Sequence, residues 1–146
     1  MPDNPLLRPS TLAYDLPPFA LIRDEHYLPA YEQGMAEQLA EVAAIAEQPD
    51  EPTFVNTIEA LERSGQLLDR ARQVFTNMTA SNSNDTLQAI EAEVSPRYAA
   101  HRDAILLNTK LFARVRRSGG WSTGTTATSC GQGRHFRSRS RRGWPS

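Results

Sequence analysis

After Val115 the chain contains no Leu, Ile, Val, Met, Asp, Glu or Lys. A segment without branched aliphatic side chains cannot remove enough apolar surface from water to offset the entropy of ordering its backbone. Any folded core must therefore come from residues 1–115, and residues 116–146 are expected to form a disordered basic tail. Charge divides at the same point: residues 1–115 hold 9 Lys and Arg and all 17 acids, whereas residues 116–146 hold 7 Arg and no acid. The whole-chain net charge of −1 is thus an average of two unlike parts and says nothing about partners.

Within the acidic part, residues 1–23 carry Pro2, Pro5, Pro9, Pro17 and Pro18. Proline lacks an amide donor and biases the preceding residue away from helix, so an extended arm is expected. Its apolar residues, from Leu6 to Ile22, are too many for a solvated linker and ask for a body to lie against. The first clear helix is "DEHYLPAYEQGMAEQLAEVAAIAEQ", residues 24–48. Leu28, Tyr31, Met35, Leu39, Val42 and Ala46 recur at steps of three and four and form one apolar stripe. Pro29 is tolerable only in a first turn, so the regular helix should begin near Leu28.

"PDEPTF" interrupts the pattern. At "FVNTIEALERSG", Asn56 as N-cap and Glu59 at the third helical position have capping-box spacing. Gly65 permits a sharp turn or a tight packing point. A third helix places Leu67, Ala71, Val74, Phe75 and Met78 on one face. A fourth, capped by Asn84 or Asp85, carries Leu87, Ile90, Val94, Tyr98, His101 and Ile105, with a kink expected at Pro96. "LNTKLFARV" starts a fifth, with Asn108 as its cap. No strand alternation is present, so the fold class is all-α, an antiparallel, up-and-down helical array. Adjacent apolar pairs such as Leu67–Leu68 and Val74–Phe75 point in different directions and imply more than one partner surface, as in part of a larger helical body.

The sequence offers little chemistry. None of His26, His101 and His135 belongs to an H-E-x-x-H motif, and the single Cys130 has no partner for a metal pair or an internal disulfide. "CGQGRH" lacks both a preceding strand and the rest of a phosphate-binding fingerprint. His26 follows two acids but reads best as a helix-start residue touching a neighbour. His101 reads as a core-edge histidine bonded to a carboxylate or carbonyl. Asp69–Arg72 and Glu59–Arg63 have helical ion-pair spacing. No residue is therefore assigned as catalytic, cofactor-binding or metal-binding. The tail's "RHFRSRSRRGWPS" could neutralise phosphates and stack on bases, but any arginine-rich segment binds nucleic acid nonspecifically, so no specific nucleic-acid partner is expected. The sequence shows no signal peptide and no apolar run of membrane-spanning length, which leads to the expectation of a cytoplasmic protein with no membrane partner.

"DEHYLPAYEQGM", "PTFVNTIEALERSGQLL" and "SNDTLQAIEAEVSPRYAAHRDAILLN" together resemble the N-terminal region of the thimet-oligopeptidase-like zinc peptidases, a family that includes bacterial peptidyl-dipeptidase and oligopeptidase A. The resemblance covers nearly all of residues 4–115. It implies a mostly helical, two-lobed enzyme with a deep channel that hydrolyses short peptides. It also implies one zinc held by the histidines of H-E-x-x-H and a downstream Glu, with the motif's first Glu activating water. All of these residues lie in a part of the family pattern without counterpart here. The expectation is a helical N-terminal lobe fragment over 24–115, inactive alone, whose intact form would act on short peptides. A helical protein-interaction module, or nucleic-acid binding through the tail, is the alternative.

In the family, the helix begun by "LNxKLFARV" continues with a pattern like L-x-D-x-x-D-x-L. Here Arg116 to Gly120 depart from it. Reading each codon from the preceding third base, the triplets over Trp121 and Cys130 become Leu, Val or Met, and a string close to the family pattern is permitted. A frameshift near Arg116 to Gly120 is therefore expected to be the origin of the tail.

Overall fold

A computed structural model describes residues 4–119. The expectations for the rest of the tail, including its disorder, Cys130, His135 and the aromatic–arginine stretch, lie outside the described residues. Among the described residues there are helices and turns and no strand. Helix α1 spans Tyr27–Glu47 and is preceded by a 3-10 turn at Asp24–His26. A π-helical turn at Phe54–Glu59 leads into the short α2, Ala60–Glu62. Helices α3 (Gln66–Ser81), α4 (Asp85–Leu106) and α5 (Thr109–Ser118) follow.

The starts and stops follow from local chemistry. Pro29 falls in the first turn of α1, where its missing amide hydrogen would have had no intrahelical partner. The Asn84 side chain accepts from the Leu87 amide at 2.8 Å, and Asn108 does the same for Leu111 at 3.0 Å, so both helices open on a capped N-terminus. The capping box after "PDEP" sits one turn earlier than its spacing suggested. Thr53 is the N-cap, with Thr53 Oγ1 accepting from the Asn56 amide at 3.1 Å and Asn56 Oδ1 accepting from the Thr53 amide at 2.8 Å. The hydroxyl wins because Thr53 has extended backbone angles and Asn56 then serves as the reciprocal partner. Glu59 pairs instead with Arg63. Gly65, with φ +74°, makes the left-handed turn between α2 and α3. Helix α4 runs through Pro96 as one helix.

Helix α1 is the spine. Its first half meets α3, whose chain direction is reversed: the Tyr27 and Tyr31 rings lie edge-on to Phe75 at 5.0 and 5.6 Å between centroids. At Gly34 the two backbones approach so closely that a Cβ would fall 2.8 Å from Leu68 Cα. Helix α4 reverses again and runs alongside α1, tied by Arg97 to Glu32 at 2.6 Å and His101 to Gln38 at 2.7 Å. Helix α5 packs against the C-terminal end of α1 and the turn at Phe54–Glu59, and Lys110 pairs with Glu47. It also extends three residues beyond Val115, through Arg116, Arg117 and Ser118.

Two apolar clusters result. Leu6, Tyr27, Ala30, Tyr31, Leu68, Ala71, Val74, Phe75, Leu87 and Val94 form the larger one, and Val42, Ile45 and Leu111 the smaller, at the α5 end. The arm joins the first. Leu6 is buried, Asn4 Oδ1 accepts from the Leu6 amide, and Asn4 Nδ2 donates to the His26 carbonyl at 2.9 Å. Residues Leu12, Tyr14, Leu16, Phe19 and Leu21 of the same arm stay exposed.

Candidate functional site

The two described histidines are held by helix architecture. His26 Nδ1 accepts from the Arg23 amide at 3.1 Å, which closes the turn leading into α1. His101 is 5 % exposed between α4 and α1, with Nε2 2.7 Å from Gln38 Oε1. With the carboxamide oxygen as acceptor, the ring carries its proton on Nε2. Nδ1 then has no partner among the described residues. Burial alone pushes the His101 pKa down, because nothing compensates a charged ring there. The expected bond to a carbonyl is thus a bond to a side-chain amide. The same carboxamide fills the space beside Gly65, so a Cβ at that position would run into Gln38.

No three His, Cys, Asp or Glu side chains among the described residues converge on a point that could hold a metal ion. Asp69–Arg72 at 3.0 Å and Glu59–Arg63 form the surface ion pairs that their spacing suggested. Asp69 holds the Arg72 guanidinium pKa up, and burial pushes the Tyr31 hydroxyl to about 12, so neither group is poised for proton transfer near neutrality.

One polar residue of consequence escaped the sequence reading. Arg114 is 2 % exposed, and its guanidinium donates to the Gln48 carbonyl at 2.7 Å, Gln48 Oε1 at 3.0 Å and Asn56 Oδ1 at 3.2 Å. It joins the end of α1, the π-turn and α5 at a single point, and its cation faces carbonyl dipoles at the C-terminus of α1. The available signal was spacing: Leu111, Arg114 and Val115 share the inward face of α5.

A half-open cleft of about 310 Å³ lies between the arm and α3. Arg70, Gln73, Val74 and Asn77 face it from successive turns of α3, and Leu16, Pro17, Pro18 and Phe19 wall it from the arm. Tyr14 and Asp15 hold positive φ, 60° and 55°, in the turn that brings the arm back over the helix, a conformation non-glycine residues seldom adopt. Ser10 stabilises that turn by donating to the Leu16 carbonyl at 2.5 Å and accepting from the Leu12 amide at 3.1 Å.

No family model matches the chain. Two curated proteins do. The dipeptidyl carboxypeptidase of Escherichia coli (strain K12) is 49 % identical over 112 residues, which is 77 % of this chain and 16 % of that protein. The dipeptidyl carboxypeptidase of Salmonella typhimurium (strain LT2) is 46 % identical over 115 residues, 79 % of this chain and 17 % of that protein. The chain therefore spans about a sixth of the length of the relatives it matches, and the resemblance to the N-terminal region of the thimet-oligopeptidase-like peptidases holds.

Proposed function

We propose that this chain, homologous to dipeptidyl carboxypeptidases, supplies an N-terminal helical lobe of a peptidase that hydrolyses short peptides and does not hydrolyse them by itself. The observation that carries the proposal is the identity of 49 % over 112 residues, at a level that preserves packing, against coverage of only 16 % of the relative. The described residues bring together no nucleophile, base or metal-ligand set, so the zinc that the resemblance implies finds no ligands among them, and no hydrolytic step is derived from them. Short peptides would be the substrates of the assembled enzyme, in a cytoplasmic setting. A frameshift near Arg116 to Gly120 would account for a basic segment that follows a helix asking for an apolar continuation.

Two experiments test the proposal. In the first, residues 4–115 replace the matching segment of the Escherichia coli enzyme. The chimera should still release C-terminal dipeptides; a folded but inactive chimera would refute the lobe assignment. In the second, the purified chain is offered short peptides with added zinc. It should leave them intact, and chelator-sensitive hydrolysis would refute inactivity. Resequencing the gene across codons 115–120 addresses the frameshift: an unbroken frame with no peptidase-coding continuation in another frame would remove it.

A further inference from the structure

Five large apolar side chains stand in solvent on adjoining elements at the α5 end. Leu106 closes α4 and Leu107 follows it, Phe112 lies in the first turn of α5, and Phe54 and Val55 open the π-helical turn against which α5 packs. The bond from Arg114 to Asn56 holds that turn and α5 together. Exposure runs from 60 % at Phe112 to 77 % at Leu107. Single exposed apolar residues are ordinary, but several on adjoining elements mark a contact surface. On α5 the pattern is two-sided: Leu111 and Arg114 are buried against the lobe while Phe112 faces away from it. A helix with apolar residues on two sides asks for a second partner.

The relatives indicate what that partner is. The match takes in 16 % of the Escherichia coli dipeptidyl carboxypeptidase and 17 % of the Salmonella typhimurium one, so most of each relative lies outside it. The family resemblance, to an N-terminal region, runs to Val115, one turn beyond Phe112 on α5. In the relatives the next stretch of chain therefore sets out beside this face. We propose that the face formed by the end of α4, the outer side of α5 and the π-helical turn is the seat of the peptidase body that follows the matched segment in the dipeptidyl carboxypeptidases. The contact is apolar and excludes water. The inference rests on the lobe assignment and adds the surface through which the lobe meets the rest.

The test is hydroxyl-radical footprinting, read residue by residue by mass spectrometry. It compares the full chain at micromolar concentration with the chimera in which residues 4–115 replace the matching segment of the Escherichia coli enzyme. Leu106, Leu107 and Phe112 should be oxidised readily in the full chain and at least about fivefold more slowly in the chimera, as side chains are in a packed interface core. Leu107→Gln with Phe112→Gln should leave the full chain folded but make the chimera lose activity on heating about tenfold faster, because two carboxamides would be buried without partners. An active chimera whose three residues stay as reactive as in the full chain would overturn the inference and leave the lobe assignment standing. Unchanged heat inactivation of the double variant would do the same. A folded but inactive chimera would overturn both. Slow oxidation already in the full chain would mean that a second copy covers the face, and unfolding of the full chain by the double substitution would make these residues its own core; either result overturns the inference.

Discussion

At the scale of single residues, buried polar side chains tie the helices to one another. Arg114 is the sharpest case, a cation 2 % exposed whose acceptors are all neutral. Truncating it strands the Gln48 carbonyl and the Asn56 carboxamide and loosens α5. Arg114→Ala should lower unfolding stability by on the order of 3 kcal/mol, and Arg114→Lys should recover little, since an ammonium cannot span three acceptors as the planar guanidinium does. Urea denaturation measures both, and a loss under about 1 kcal/mol for the alanine variant would show that the clamp is ornamental. His101 makes a pH-dependent contribution. Its folded pKa lies below the usual value because burial disfavours the charged ring, so the unfolded chain takes up the proton first as pH falls. The stability it contributes is complete above the unfolded pKa near 6.5 and is lost as pH falls below that value. Thermal midpoints at pH 7.5 and 5.5 should separate more for the unaltered chain than for His101→Gln; identical separations would exclude His101 as the source.

At the scale of elements, the contact between α1 and α3 sets the geometry. Gly34 lets the two helices approach to a distance that side chains elsewhere would prevent, and the Tyr27–Phe75–Tyr31 aromatic cluster packs on the far side of that contact. Gly34→Ala would place a methyl 2.8 Å from the Leu68 backbone, which cannot swing aside as a side-chain tip can. The loss should be about 1–3 kcal/mol despite the better helix propensity of alanine, and a stabilised variant in thermal melts would contradict this packing. The helices themselves were legible from periodicity and caps: Asn84 and Asn108 cap where expected, and the third stripe is buried from Leu67 to Phe75 with Met78 partly buried against it, whereas Leu39 of the first stripe is exposed. The capping box was misplaced by one turn because Thr53 and Asn56 offer two overlapping boxes. Choosing between them depends on backbone angles that spacing does not encode.

At the scale of the whole molecule, the described residues leave apolar surface uncovered in the arm and at the α5 end. The arm exposes Leu12, Tyr14, Leu16, Phe19 and Leu21, and the α5 end exposes Phe54, Val55, Leu106, Leu107 and Phe112. Side chains that touch solvent contribute little to this chain's own stability. Leu107→Gln combined with Phe112→Gln should leave the thermal midpoint nearly unchanged, within about 0.5 kcal/mol, while reducing both concentration-dependent association and the fluorescence of an apolar dye. A large destabilisation would mean that these residues are core residues of the chain itself. Among the described residues no helix is long and apolar enough to cross a membrane.

The amino-acid order by itself determined the all-α class, the helix order and the peptidase kinship, because periodicity, capping and long stretches of shared pattern are written locally along the chain. Only the tertiary structure decided that α5 packs on the end of α1, that Arg114 turns inward there, that Gln38 meets both His101 and Gly65, and that the arm closes a cleft over Arg70. Each of these depends on residues far apart in the sequence meeting across helix faces, 63 positions for Gln38 and His101 and 66 for Gln48 and Arg114. Local spacing fixes which face a side chain occupies on its own helix, but the neighbour across that face is chosen by the packing of the whole lobe.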